Sequence, residues 1–82
     1  MGTYADIKSR KLNRVLEWLV HNKGIEVTRG GKHNKKVTCI RNGKAYPLPL
    51  SHKTVTKYIV KDFVEWLVKN EVCTEQEFDD CL

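Results

Sequence analysis

The sequence has no long hydrophobic run, and no apolar stretch approaches the ~20 residues that a membrane-crossing helix requires. Met1-Gly2-Thr3-Tyr4-Ala5-Asp6 has neither an apolar h-region nor a cleavage-site pattern, so no secretion is expected and the chain reads as soluble and cytoplasmic. Its three cysteines, Cys39, Cys73 and Cys81, are an odd number without a C-x-x-C pair, which argues against a disulfide framework and against a zinc site. Cys39 and Cys81 are expected as small buried apolar residues. Nothing calls for a metal or another cofactor. Repeats, linkers and low-complexity tracts are missing too. With 82 residues the chain is expected to form one domain, residues 1–82, with a single modest core and no deep cavity, so any chemistry should lie near the surface.

What the chain has is positive charge, unevenly placed. The net charge is +5, but residues 1–50 hold 11 Lys or Arg against 3 acids, whereas residues 51–82 hold 4 against 7. The first part therefore reads as a surface facing a polyanion, and the second does not. Solvated charge with no ligand is the alternative.

Between Ser9 and His21, Leu12, Val15, Leu16, Leu19 and Val20 fall at i, i+3, i+4, i+7 and i+8, the stripe of a helix packed on a core. Asp6 or Ser9 is a candidate cap, and Gly24 suits a left-handed end. Lys8, Arg10, Lys11 and Arg14 give this helix a basic polar face, and Trp18 sits beside the stripe, where partial burial is expected. Ile25 to Arg29 alternates and is β-branched, predicting a strand with Ile25 and Val27 inward. A second strand is expected over Lys35 to Arg41, then a type I′ turn at Asn42-Gly43 and a third strand from Lys44 to about Leu48. Pro47 and Pro49 cannot donate ladder hydrogen bonds, which places that strand at an edge. In the second strand either Val37 with Cys39 or Thr38 with Ile40 can face inward, and the first pair is favoured. Ser51 or Thr54 is expected to cap a second helix with Val55, Ile59, Phe63, Trp66 and Leu67 inward, Tyr58 and Val64 flanking, and an end near Asn70. Thr74-Glu75-Gln76-Glu77 is a capping-box pattern that predicts a short last helix carrying Phe78, Cys81 and Leu82 toward the core. The expected architecture is α+β, an α-β-β-β-α chain with a three-stranded antiparallel sheet, helices on one face and a short C-terminal helix.

One stretch does not follow from packing. Arg29-Gly30-Gly31-Lys32-His33 puts a glycine pair, two cations and a histidine between the first two strands. Glycines let another molecule approach the backbone closely, and the cations suit an anion; a plain turn is the other reading.

The basic first helix ending in Lys23-Gly24-Ile25, the Gly31-Lys32-His33 step, Pro47-Leu48-Pro49 and Thr74-Glu75-Gln76-Glu77-Phe78 together resemble the HicA (YcfA-like) toxin family over residues 9–82. The glycine-x-histidine step is the most specific part. Lys32 stands where serine is usual in the family, and Asn34 where many members have a further histidine. The resemblance implies a double-stranded-RNA-binding-like fold, endoribonuclease activity on messenger RNA with His33 as the catalytic residue, and neutralisation by a HicB-type antitoxin protein.

RNA brings its own nucleophile, the 2′-hydroxyl, so cleavage needs a group that moves a proton and groups that oppose charge, and no metal is required. Histidine does the first near neutral pH. Arg29, Lys32 and Lys35, with the amides around Gly30 and Gly31, are candidates for holding the phosphate, and Lys11 and Arg14 for extending the RNA-binding surface. His52 is a candidate second proton-transfer group, with capping or simple exposure as its alternatives. His21 is expected to interact with the helix dipole. Tyr46 and Trp66 could stack on a base, yet their positions favour core packing. An unbroken strand from His33 would put it at the rim of the helix-covered face. The competing functions are a non-catalytic RNA-binding module of the double-stranded-RNA-binding type, a winged-helix DNA binder, which the acidic second helix argues against, and a protein-interaction domain.

Overall fold

A computed structural model describes residues 4–31, 34–50 and 53–82. The elements are β1 (Ile7–Lys8), α1 (Ser9–Asn22), β2 (Ile25–Gly31), β3 (Asn34–Cys39), β4 (Ala45–Pro49), β5 (Thr54–Val55), α2 (Lys57–Lys69) and α3 (Glu75–Asp80). They form a small α+β domain whose antiparallel sheet has the order β2-β3-β4, and β1 pairs with β5 in a second, two-stranded sheet. No helix among the described residues is long and apolar enough to cross a membrane.

The apolar stripe of α1 is buried as its spacing predicts, with Leu12, Val15, Leu16 and Leu19 all inward and Val20 left exposed. Gly24 follows at φ +64°, the left-handed conformation that stops the helix. The sheet settles the open choice in β3. Ile25 pairs with Cys39, Val27 with Val37, and Val37 with Tyr46. Directly paired residues share a face, so Ile25, Val27, Val37, Cys39 and Tyr46 look toward the helices and Thr38 looks away. Val37 and Cys39 are buried, whereas Ile40 is exposed. The prolines lie in β4, an edge strand, where a missing N–H leaves no gap in a ladder.

Four details differ from expectation. The hairpin turn is not type I′, because that turn requires positive φ at two successive residues and here only Gly43 has it, at +73°. Ile40 to Gly43 instead form a four-residue loop, closed by Gly43 N–H donating to the Cys39 carbonyl at 2.8 Å and Cys39 N–H donating to the Lys44 carbonyl at 2.8 Å. Strand β3 accordingly ends at Cys39, short of Arg41. Second, α2 starts at Lys57, and Val55 belongs to β5; Thr54 therefore caps nothing, and Ser51 lies outside the described residues. The inward residues are Val60, Phe63, Val64 and Leu67. Counting Val55 as helical turns the apolar stripe toward Ile59 and Trp66, which are only half-buried. Third, Asp6 accepts from the Lys57 amide at 2.8 Å, so it serves the start of α2, not of α1. Fourth, Cys73 is buried together with Cys39, while Cys81, at the end of α3, is half-buried.

Phe63 occupies the centre of the core. Its ring centroid lies 5.4 Å from that of Tyr46, 6.2 Å from Trp66 and 6.4 Å from Phe78. It thus joins α2 to β4 and α3. Tyr46 and Trp66 are packing residues, and the Tyr46 hydroxyl donates to Asp62 at 3.0 Å. The capping box forms as predicted, with Thr74 Oγ1 accepting from the Glu77 amide and Glu77 Oε1 from the Thr74 amide. Lys23 Nζ donates to Glu77 Oε2 at 2.7 Å, tying α3 to the end of α1.

Truncating Phe63→Ala is expected to lower unfolding free energy by about 3–5 kcal/mol in urea denaturation, because the cavity would adjoin three other rings. The bond from Lys23, then that from the Thr74 amide, holds the Glu77 carboxyl below its ordinary pKa. A depressed pKa stabilises the fold above the unfolded-state value and loses that contribution as pH falls through the folded one. Glu77→Gln is therefore expected to lower Tm at neutral pH and to leave it near the parent's at strongly acidic pH.

Candidate nucleic-acid interface

The end of the β2–β3 ladder is irregular. Arg29 pairs with Lys35, but Gly31 pairs with Asn34, so the register shifts by one and Gly30 is the extra residue of a β-bulge. A bulge strengthens local twist and re-aims the side chains beside it. The glycine pair thus ends β2 in a distorted step, where a side chain at the extra position would hinder close approach. Between Gly31 and Asn34 in sequence stand Lys32 and His33, and both lie outside the described residues, as does His52.

Arg29 and Lys35 are direct cross-strand partners, and Lys35 also pairs with Leu48 on β4. Alternation from Val27 and Val37 places both cations on the helix-covered face, at the end where the helices cover it less. Arg29 is exposed and Lys35 half-buried. Among the described residues neither has an ion-pair partner within 4 Å. Two like charges directly opposite one another repel, so the pair favours binding of an anion over staying bare.

Lys35 also lines an open groove of about 430 Å³ between α1 and the sheet, with Asn13, Glu17, Val20, His21 and Val27. His21 was read from the sequence only as a helix-terminal residue. It does lie in the last turn of α1, yet it shares this groove with Lys35. The i, i+4 spacing of Glu17 and His21 is the signal that places both on one flank. At about 100° per residue, Lys11 projects from the opposite flank, the one carrying Trp18, and Arg14 points outward between the two. The structure therefore brings Arg29 and Lys35 together and sets Lys11 apart from them.

The described residues include no group of three His, Cys, Asp or Glu side chains placed to hold a metal ion. Chemically, the β2–β3 end offers cations beside an irregular glycine step and an imidazole along the groove. Comparison of the chain with protein-family models, with curated proteins and with solved structures finds no match.

Exchanging one member of the cationic pair is a direct measure of its repulsion. Arg29→Glu is expected to raise unfolding free energy by about 0.2–1 kcal/mol at low salt, since it turns a like-charge pair into an opposite one. The gain should shrink at high salt, where exposed charges are screened. Urea denaturation of parent and variant at two ionic strengths reads both effects.

Proposed function

We propose that this chain is an RNA-cleaving toxin of the HicA type: a metal-independent cytoplasmic endoribonuclease acting on messenger RNA through His33 and held in check by a HicB-type antitoxin. One observation carries the reading. The glycine-x-histidine step of the sequence adjoins a bulged strand end where two cations, Arg29 and Lys35, stand side by side with no ion-pair partner among the described residues. The α-β-β-β-α order of the main sheet and long helices agrees with a double-stranded-RNA-binding-like arrangement, and the surplus of positive charge before residue 51 agrees with an RNA ligand.

In this reading Arg29, Lys32 and Lys35 hold the scissile phosphate, and the backbone amides around Gly30 and Gly31 offer further donors to its oxygens. His33 takes the proton from the 2′-hydroxyl as that oxygen bonds to phosphorus, and the bond from phosphorus to the 5′-oxygen breaks. The leaving oxygen must be protonated in turn. The protonated His33, His52 or His21 are the imidazoles in the chain that can supply that proton near neutral pH. A single positioned acid-base group contributes about 10² to 10⁴ in rate, so turnover should be modest.

The test is incubation of purified protein with a defined single-stranded RNA, with and without a chelator, beside His33→Ala. Chelator-resistant cleavage is expected, and it should vanish in the variant while its circular dichroism spectrum stays that of the parent. Equal cleavage by parent and variant would refute the assignment to His33. If neither cuts and both bind RNA with steep salt dependence, the chain is a non-catalytic RNA-binding module. His52→Ala and His21→Ala, assayed in parallel, identify the second proton-transfer group by which of them slows the reaction.

A further inference from the structure

We infer that the groove between the β1–β5 pair and the first turn of α1 is a second phosphate-binding site, one that grips the backbone of a nucleic-acid strand away from the glycine step. The groove measures about 440 Å³ and is lined by Lys8, Arg10, Lys53 and Thr54. Three of these four carry a full positive charge, and among the described residues no carboxylate lines it.

These cations are held together by backbone, not by chance orientation of long side chains. Lys8 is the register partner of Thr54, and the Ser9 amide donates to the Lys53 carbonyl at 2.7 Å. Arg10 follows in the first turn of α1. Ile7 and Val55, the residues beside this ladder, are buried in the core, which anchors the frame. Asp6 is the nearest carboxylate in sequence, and it accepts from the Lys57 amide at 2.8 Å. Among the described residues none of the three cations has an ion-pair partner within 4 Å. A fold that fixes three like charges around a hollow without a counter-charge raises the potential there, and an anion in the hollow relieves it. The first turn of α1 contains no acid and its N-cap contributes no side-chain bond, so the helix dipole adds to the same potential.

The chemistry of the lining selects phosphate. Arg10 offers a planar fork suited to two phosphate oxygens, the lysines act as point charges, and the Thr54 hydroxyl can donate one further bond. A small phosphorylated molecule would occupy one cationic site, whereas the described residues form two, at different sheets: this groove, and Arg29 with Lys35. A strand bearing a phosphate on every nucleotide can engage both at once. The inference therefore rests on the reading of the chain as an RNA binder.

Three variants separate the possibilities: Lys8→Ala/Lys53→Ala in the groove, Arg29→Ala/Lys35→Ala at the glycine step, and Lys61→Ala/Lys69→Ala on α2 as a control with the same loss of charge. Fluorescence anisotropy with a labelled single-stranded RNA, repeated over a series of salt concentrations, gives Kd and its salt slope for each. Each lost phosphate contact should reduce the log-log slope by about 0.7, so the groove variant is expected to lose about 1.4. Its affinity should fall about tenfold or more, while the α2 control stays close to the parent. If the groove variant keeps the parent's Kd and slope while the Arg29/Lys35 variant loses both, the groove is not a site and the RNA-binding reading stands. If the groove variant weakens no more than the control, general charge explains the loss and the inference is wrong. If the parent itself fails to bind RNA, both the strand-gripping role and the ribonuclease reading fall. Amide shifts in an NMR titration with pyrophosphate, confined to residues 8–10 and 53–54, would then keep only the phosphate site.

Discussion

The pairing of Ile7 with Val55 fixes where both long helices begin, and most of the architecture depends on it. A two-residue ladder is marginal alone. It holds because both side chains are buried in the same core as Leu12 and Phe63. The pairing sets Asp6 against the first amide of α2 and the Ser9 amide against Lys53. The two helices thus start side by side and both come down on the single apolar face of the sheet, α1 over β2 and α2 over β4. The same constraint gathers Lys8, Arg10 and Lys53 around one hollow.

Carboxylates are spent where they lock elements together. Glu77 ties Lys23 and the cap of α3, and Asp62 takes the Tyr46 hydroxyl that steadies β4 against α2. The hairpin loop is fastened to the end of α2 through uncharged acceptors, with Arg41 donating to the Asn70 carbonyl at 2.7 Å and Asn42 to the Asn70 side chain at 3.0 Å. The Arg41–Glu71 pair, 3.7 Å apart and exposed, adds little. What remains is a set of cations on β1, α1, β2, β3 and before β5 that have no carboxylate within 4 Å among the described residues. That division makes the surplus of charge a property of particular surfaces and not only of the composition.

The main elements were legible because their signals are local. Periodic apolar residues define α1, alternation defines β2 and β3, and Thr74 with Glu77 writes the start of α3 in four residues. The misread features all depend on contacts distant in sequence. Nothing around Thr54-Val55 announces a strand, since its partners lie 46 and 48 positions earlier, and once Val55 was counted in the helix the stripe of α2 turned with it. The loop at Asn42-Gly43 was misread for a related reason: Asn42 is engaged by Asn70 and by the Lys44 amide, and this favours a longer loop over the two-residue turn its dipeptide prefers. At the candidate site the sequence singled out Arg29 and Lys35 without showing that they are cross-strand partners, and it read His21 as a helix-terminal residue, which it is, without showing that the same residue lines the adjoining groove. The groove of Lys8, Arg10 and Lys53 was invisible without the β1–β5 ladder.

The protonation states of the remaining groups narrow what this surface can do. Burial pushes the Tyr4 phenol up to about 12 and the Cys73 thiol up to about 11, and burial, aided by Asp62, raises the Tyr46 phenol as well. These side chains stay neutral across the physiological range and cannot exchange protons there. Proton transfer near neutral pH then falls to imidazole, the one side chain whose ordinary pKa lies in that range. The domain extends only 18 Å along its shortest axis and its grooves are open to water, so it cannot enclose a substrate in a medium of low dielectric constant. In the proposed reaction, rate comes from the nucleophile carried by the RNA and from the placement of one imidazole beside the scissile phosphate. Under the same proposal the strand must be held at more than one point, the role we assign to the two cationic clusters, Arg29 with Lys35 and Lys8 with Arg10 and Lys53.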